Sequence, residues 1–120
     1  MDSQTKIQEL KEKVKAFCDA RDWAKYHGAK DLAIGLITES SELLELFRFK
    51  SQQEIEAMFS DLSKRQEIAE ELADSFYFVL RFAERYNIDL SIELQKKMSE
   101  NEKKYPVEKS KGSNKKYDEL

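Results

Sequence analysis

One cysteine, one proline, one histidine and three glycines are all that the 120 residues hold of these types, and each shortage excludes something. A lone cysteine, Cys18, cannot close an internal disulfide, and its helical spacing from Val14 marks it as a small buried hydrophobe, which fits a reducing compartment. So few glycines and prolines leave little turn material for a multi-stranded sheet. There is no Gly-x-x-x-x-Gly-Lys stretch, so phosphate cradling by backbone amides of that type is unsupported. The single histidine, His27, is too few for the paired Glu-x-x-His ligands of a di-iron bundle. No apolar run approaches the length of a membrane span, and Met1-Asp2-Ser3-Gln4 lacks the basic-then-apolar layout of a secretion signal. A cytoplasmic protein is expected. The net charge of −3 is mild and calls for neither nucleic acid nor a membrane as partner.

What remains is helix-forming material. Charged residues make up 38% of the chain, and long stretches rich in Glu, Lys, Leu, Ala and Gln predict an all-α fold, a four-helix bundle protomer. At this length a helical domain often completes its core by oligomerising. Ile7, Leu10, Val14, Phe17 and Cys18 repeat with helical period, and Ser3 or Thr5 can cap that helix, which runs to about Asp22. A second helix spans Leu32 to Phe49, with Asp31 as its cap and Gly35 hinting at close approach by a neighbour. A short helix follows through Ile55 and Met58. The long helix begins at Asp61 or Ser63 and ends near Asn87. The last is capped by Asp89 or Ser91 and stops at Tyr105-Pro106, because proline disfavours helix at the residue before it. The domain reading is residues 1–106 as a helical body and residues 107–120 as a basic tail.

The chemistry lies in two acid pairs, Glu39-Ser40-Ser41-Glu42 on the second helix and Glu71-Leu72-Ala73-Asp74 on the long one. Residues three apart sit one turn apart on the same side, so each pair offers two carboxylates to one region. On a helical wheel, Leu32, Leu36, Leu43 and Phe47 form one apolar arc with Glu39 at its edge and Glu42 just outside. Ile68, Leu72, Phe78, Val79, Phe82 and Tyr86 form the other, with Glu71 inside it and Asp74 at its flank. Glu45 and Glu70 point away. Like charges brought together inside apolar arcs repel, and a divalent cation removes that cost. All-oxygen donors suit Mg²⁺, with Mn²⁺ as substitute, better than zinc or copper. Magnesium held this way completes its shell with water and phosphates, which implies a phosphorylated small molecule as substrate. The alternative is a non-enzymatic helical adaptor whose acids bind a structural ion or pair with basic residues.

Trp23, Tyr26 and His27, in the connector that also holds Gly28 and Lys30, either plug the end of the bundle or line a pocket for a planar ligand. Lys97 and Lys104 are candidate phosphate partners or simple surface lysines. From composition, Val107 to Leu120 is a loose tail; a basic strand folding over an anionic ligand is the other reading.

These residues resemble the MazG-like all-α nucleoside triphosphate pyrophosphohydrolases, marked by Glu-x-x-Glu on one helix and Glu-x-x-Asp on the next. Glu39, Glu42, Glu71 and Asp74 fall on those positions. The similarity is closest to the dCTP pyrophosphatase branch, through Arg21-Asp22-Trp23 with His27, Glu42-Leu43-Leu44-Glu45-Leu46-Phe47, and Glu70-Glu71-Leu72-Ala73-Asp74. Lys97, Met98, Asn101, Lys104, Tyr105-Pro106, Gly112-Ser113 and Lys116-Tyr117 carry it onward. The resemblance implies Mg²⁺ on the four acids, which are the catalytic set, and hydrolysis of a dNTP to dNMP and pyrophosphate by a homodimer or homotetramer. It implies that Lys97, Asn101 and Lys104 steady the phosphates and that Trp23, His27, Lys30, Phe49, Phe78 and Tyr105 belong to the substrate site, with the tail closing over the nucleotide. Thr38 stands where many members have a further Glu. Phe49 and Phe78 replace a tryptophan and a tyrosine, keeping a stacking face but losing a hydrogen-bonding group. A pyrimidine deoxynucleotide, cytosine first, is the expected substrate.

Overall fold

Six α-helices and two short 3₁₀ turns, with no strand, make up the computed structural model, which describes residues 1–120. They form two compact units, Met1–Asn87 and Ile88–Leu120. No helix is long and apolar enough to cross a membrane.

In the first unit, α1 (Ile7–Asp19) begins later than Ser3 or Thr5 would place it. Its first turn is closed by Glu9, whose carboxylate accepts the Lys6 N–H at 3.3 Å, so an acid one turn in does the work of a capping hydroxyl. The helix stops at Asp19, short of Asp22, because Asp22 adopts a left-handed φ of 54° and turns the chain into the 3₁₀ segment Ala24–Tyr26. Helix α2 (Ala29–Glu45) opens at Gly28, whose N–H is accepted by Asp31 at 3.2 Å. Asp31 therefore lies inside the first turn, complementing the helix dipole, rather than at the cap. The helix also ends before Phe49, which has φ 63°. The reversal there feeds Ser51, the cap of α3 (Gln52–Met58), where Ser51 Oγ accepts from the Glu54 N–H and Glu54 accepts from the Ser51 N–H, each at 3.2 Å. Helix α4 (Leu62–Arg85) is capped by Asp61, which accepts from Ser63 and Lys64 at 3.0 and 3.2 Å. Asn87, with φ 55°, closes its end.

Helix α4 is the spine, with α2 and α1 both packed on it. Its core residues show this: Ile68, Leu80 and Ala83 are buried, and so is Arg81, at 1% exposure. Neighbours 80 and 81 face different directions on a helix, so the C-terminal half of α4 is enclosed on more than one side. The single apolar arc read from the sequence is corrected accordingly, since Leu72 is 58% exposed and Tyr86 44%. The α2 arc holds, with Leu32 buried and Leu36, Leu43 and Phe47 half-buried. Gly35 marks the close approach: a β-carbon there would fall within 2.6 Å of three Phe78 ring atoms. Cys18 is fully buried, its Sγ 3.1 Å from the Tyr77 hydroxyl. Burial, then the bond to Cys18, pushes the Tyr77 phenol up to about 12.

In the second unit, Asp89 caps α5 (Leu90–Lys104) by accepting the Ile92 N–H at 2.9 Å. The helix ends at Lys104, ahead of Tyr105-Pro106. The segment that composition marks as loose instead holds a turn of helix, α6 (Val107–Ser110), and the 3₁₀ turn Tyr117–Glu119. Tyr117 packs edge-on against Tyr105 at 6.1 Å and lies 5.0 Å from the Lys104 ammonium, a tether that composition does not register.

Candidate functional site

Helix register places the acids. Glu39 and Glu42 lie one turn apart on α2, and α4 sets Glu71 opposite them, so that one oxygen of each lies within 4.8 Å of the others. Glu39 and Glu71 are half-buried and Glu42 is exposed. Asp74, exposed, stands outside this group of three but close enough for its charge to act on both Glu39 and Glu71. Glu45 and Glu70 point away as expected, facing Arg48 at 3.6 Å and Gln66 at 3.2 Å.

The cluster is electrostatically incomplete. Oε2 of Glu39 and Oε2 of Glu71 are buried with no hydrogen-bond partner, and no lysine or arginine pairs with either carboxylate. Desolvation is the main force raising both above the ordinary carboxylate range, followed by hydrogen bonding with Glu42 and by its charge. Buried acceptors without donors need a cation or a proton. Three carboxylates with two orphaned oxygens fit a hard divalent cation bound through oxygen.

A stability prediction follows. A carboxyl whose folded pKa is raised binds an extra proton in the native state above the unfolded value of 4.5, so its contribution falls as pH rises through the folded pKa. Metal-stripped protein should therefore lose thermal stability from these two groups between mildly acidic and neutral pH. Added Mg²⁺ should raise Tm more at neutral pH than at acidic pH, because only the ionised cluster binds it. Thermal scans at both pH values, with and without Mg²⁺, check this; an equal shift at the two would remove the cluster as the cause.

The connector builds an aromatic corner. Trp23 meets Phe17 edge-on at 5.6 Å and His27 at 6.1 Å, while Phe17 reaches Tyr77 at 6.3 Å and Tyr77 reaches Phe78 at 5.1 Å. Trp23 remains 37% exposed, so it both packs and offers a face. Phe78 lies in the α2–α4 seam against Gly35. Phe49 is 91% exposed beneath the Arg48 guanidinium, 4.5 Å away, and Lys30 is exposed in the first turn of α2. The other predicted ligand contacts belong to the second unit: Lys97 faces Glu100 at 3.5 Å, the Asn101 carbonyl accepts the Tyr105 N–H at 2.8 Å, and Lys104 sits by Tyr117.

Two residues escaped the sequence reading. Arg81 and Arg85, one turn apart on α4, both reach His27: Arg81 Nε donates to the ring Nδ1 at 2.9 Å and Arg85 Nε to the backbone carbonyl at 3.4 Å. The one available signal was an arginine with Glu84 three residues on, inside an otherwise apolar stretch.

Comparison with known proteins agrees with this architecture. The model of the MazG-like family matches residues 36–120. The dCTP pyrophosphatase 1 of Rattus norvegicus is 36% identical over 104 residues, 87% of this chain and 61% of its own length, so the chain spans less than two thirds of that relative. The Bos taurus protein of the same name is 31% identical over 118 residues, covering 98% of this chain and 70% of its own. A solved pyrophosphatase from Archaeoglobus fulgidus superposes with a TM-score of 0.78 at 34% identity, covering 83% of this chain and 92% of its own.

Proposed function

This chain belongs to the MazG-like family, and on that premise we propose that it is a Mg²⁺-dependent nucleoside triphosphate pyrophosphohydrolase. It would convert a dNTP and water to dNMP and pyrophosphate, with dCTP or a modified pyrimidine deoxynucleotide preferred, as a cytoplasmic enzyme that clears the nucleotide pool. The observation that carries the reading is the three-acid cluster with its two buried, unpartnered oxygens. The names of the relatives, dCTP pyrophosphatase 1 and a pyrophosphatase, support the substrate class.

Glu39, Glu42 and Glu71 would hold Mg²⁺, with Asp74 as a fourth donor or as a charge beside it. The ion, when bound, supplies Lewis-acid stabilisation of phosphate charge and activates water. A carboxylate of this group, Asp74 where it stands beside the ion rather than on it, would accept the proton of the water that attacks the α-phosphorus as the bond to the pyrophosphate oxygen breaks. Lys97, Asn101 and Lys104 steady the phosphates. Trp23 stacks on the base. With phenylalanine at positions 49 and 78, selection among bases rests on stacking and on the remaining polar groups, His27 among them.

The active form is a homodimer or homotetramer. Ile34, Ile37 and Leu44 of α2 are more than half exposed. A groove of about 750 Å³ along α4 is lined by Ala69, Leu72, Ala73, Phe76 and Val79. Apolar side chains left open on α2 and α4 support an interface between copies of the chain.

Pyrophosphate release from a panel of dNTPs and NTPs, with and without Mg²⁺, tests the reading. Metal-dependent formation of dNMP and pyrophosphate, fastest with dCTP or a modified pyrimidine, is expected. If folded protein turns over no nucleotide in the presence of metal, the hydrolase reading fails and the adaptor takes its place.

A further inference from the structure

His27 is gripped from α4 at both its ring and its backbone. Arg81, only 1% exposed, donates Nε–H to His27 Nδ1 at 2.9 Å, and its Nη1 pairs with Glu84. Arg85 donates to the His27 carbonyl at 3.4 Å. An arginine does not give up its protons, so the nitrogen facing it must present a lone pair. A neutral imidazole with a lone pair on Nδ1 carries its proton on Nε2.

We propose that Arg81 is a positioning residue that holds His27 as the neutral tautomer protonated at Nε2, giving the ligand pocket a fixed hydrogen-bond donor that selects an acceptor oxygen. The surrounding charges favour this state. Protonated His27 would set an N–H against the Arg81 N–H and add a positive charge beside both arginines. Burial, then Arg81 and Arg85, hold its protonation below the ordinary range, and Asp31 of α2 is the one group that opposes them. Glu84 is engaged with Arg81, and Asp19 of α1 with Lys15. The His27 and Trp23 rings stand edge to face with centroids 6.1 Å apart, so the histidine adjoins the side chain proposed to stack on the base. That the ligand is a nucleotide rests on the function proposed above; the tautomer does not.

Because His27 is the only histidine, its ring can be read without assignment. Two-bond ¹H–¹⁵N correlation on ¹⁵N-labelled, ligand-free protein should show one neutral tautomer, protonated at Nε2, at neutral pH, and a protonation midpoint below that of an ordinary histidine. A proton on Nδ1, a mixture of tautomers, or a midpoint at the ordinary 6.5 would overturn the proposal in the wild type alone, whether or not any nucleotide is turned over. The paired variant Arg81→Met with Glu84→Gln avoids leaving Glu84 unpaired. Folded, it should restore tautomer exchange and move the midpoint upward; an unchanged spectrum removes Arg81 from the role. In the same variant KM for dCTP should rise about threefold to tenfold with kcat little changed, the loss of one oriented hydrogen bond. Inhibition by tripolyphosphate locates the acceptor: weakened in parallel, it places the oxygen on phosphate; unaffected, on the nucleoside. An unchanged KM together with unchanged inhibition denies the ring its donor role.

Discussion

Glu71→Ala should lower Mg²⁺-dependent pyrophosphate release by roughly 10³-fold while leaving the protein folded, the scale of loss when one preorganised group that stabilises transition-state charge is removed. Glu71 is the acid that α4 contributes to the three-carboxylate group, and its Oε2 has neither solvent nor a donor to satisfy it. Without it the tight group keeps only Glu39 and Glu42, both from α2, and α4 has only the more distant Asp74 to offer a cation. The metal-free variant should be no less stable than wild type at neutral pH, because a raised carboxyl has been removed from between like charges. Glu70→Ala is the internal control, being adjacent in sequence but exposed and bonded to Gln66. Pyrophosphate release and Mg²⁺ titration on the two variants decide it. If Glu71→Ala keeps activity within tenfold of wild type, the cluster is not the metal centre. Equal loss in both variants would point to a general effect on α4 instead.

The largest effect on stability is expected at Gly35. On intrinsic propensity, Gly→Ala within a helix stabilises by about 0.8–1.0 kcal/mol. Here the added methyl would meet Cδ1, Cε1 and Cζ of Phe78 at no more than 2.6 Å, and Phe78 is itself packed against Tyr77 at 5.1 Å. Overpacking of this kind costs about 1–3 kcal/mol, which offsets the propensity gain, so Gly35→Ala should be net destabilising by up to roughly 2 kcal/mol. Urea denaturation of the wild type, Gly35→Ala, Phe78→Ala and the double variant measures the coupling. The double variant should be more stable than the sum of the single losses predicts, because the new methyl occupies space the ring has vacated. A Gly35→Ala protein more stable than wild type would show that the seam yields easily. Since the same seam sets the distance from Glu39 to Glu71, the variant should also weaken Mg²⁺ binding.

Much of this molecule is legible without coordinates, where the controlling interactions are local. Of the two caps read for each helix, Asp61 rather than Ser63 caps α4 and Asp89 rather than Ser91 caps α5, and α5 stops ahead of Pro106, because a cap or a proline acts within a turn of its own position. The misplaced boundaries are equally local but depend on backbone geometry that residue type signals weakly: left-handed Asp22 and Phe49 end α1 and α2 early. Leu72 and Tyr86 were assigned to the core from period alone. Periodicity finds an amphipathic face but cannot tell which part of it this chain covers by itself.

Sequence alone determined the helical composition, the spacing of the acids and the family, because scarce glycine and proline, helical period and the Glu-x-x-Glu and Glu-x-x-Asp motifs are properties of the chain's order. Tertiary structure decided which acids meet. Packing of α2 on α4 through Gly35 and Phe78 draws Glu39, Glu42 and Glu71 within 4.8 Å and leaves Asp74 outside. It also decided that Arg81, a charge any pattern would assign to solvent, is buried against His27. The physical reason is that burial of a polar group depends on partners distant in the chain, here 54 residues away, and no local preference encodes such a partner.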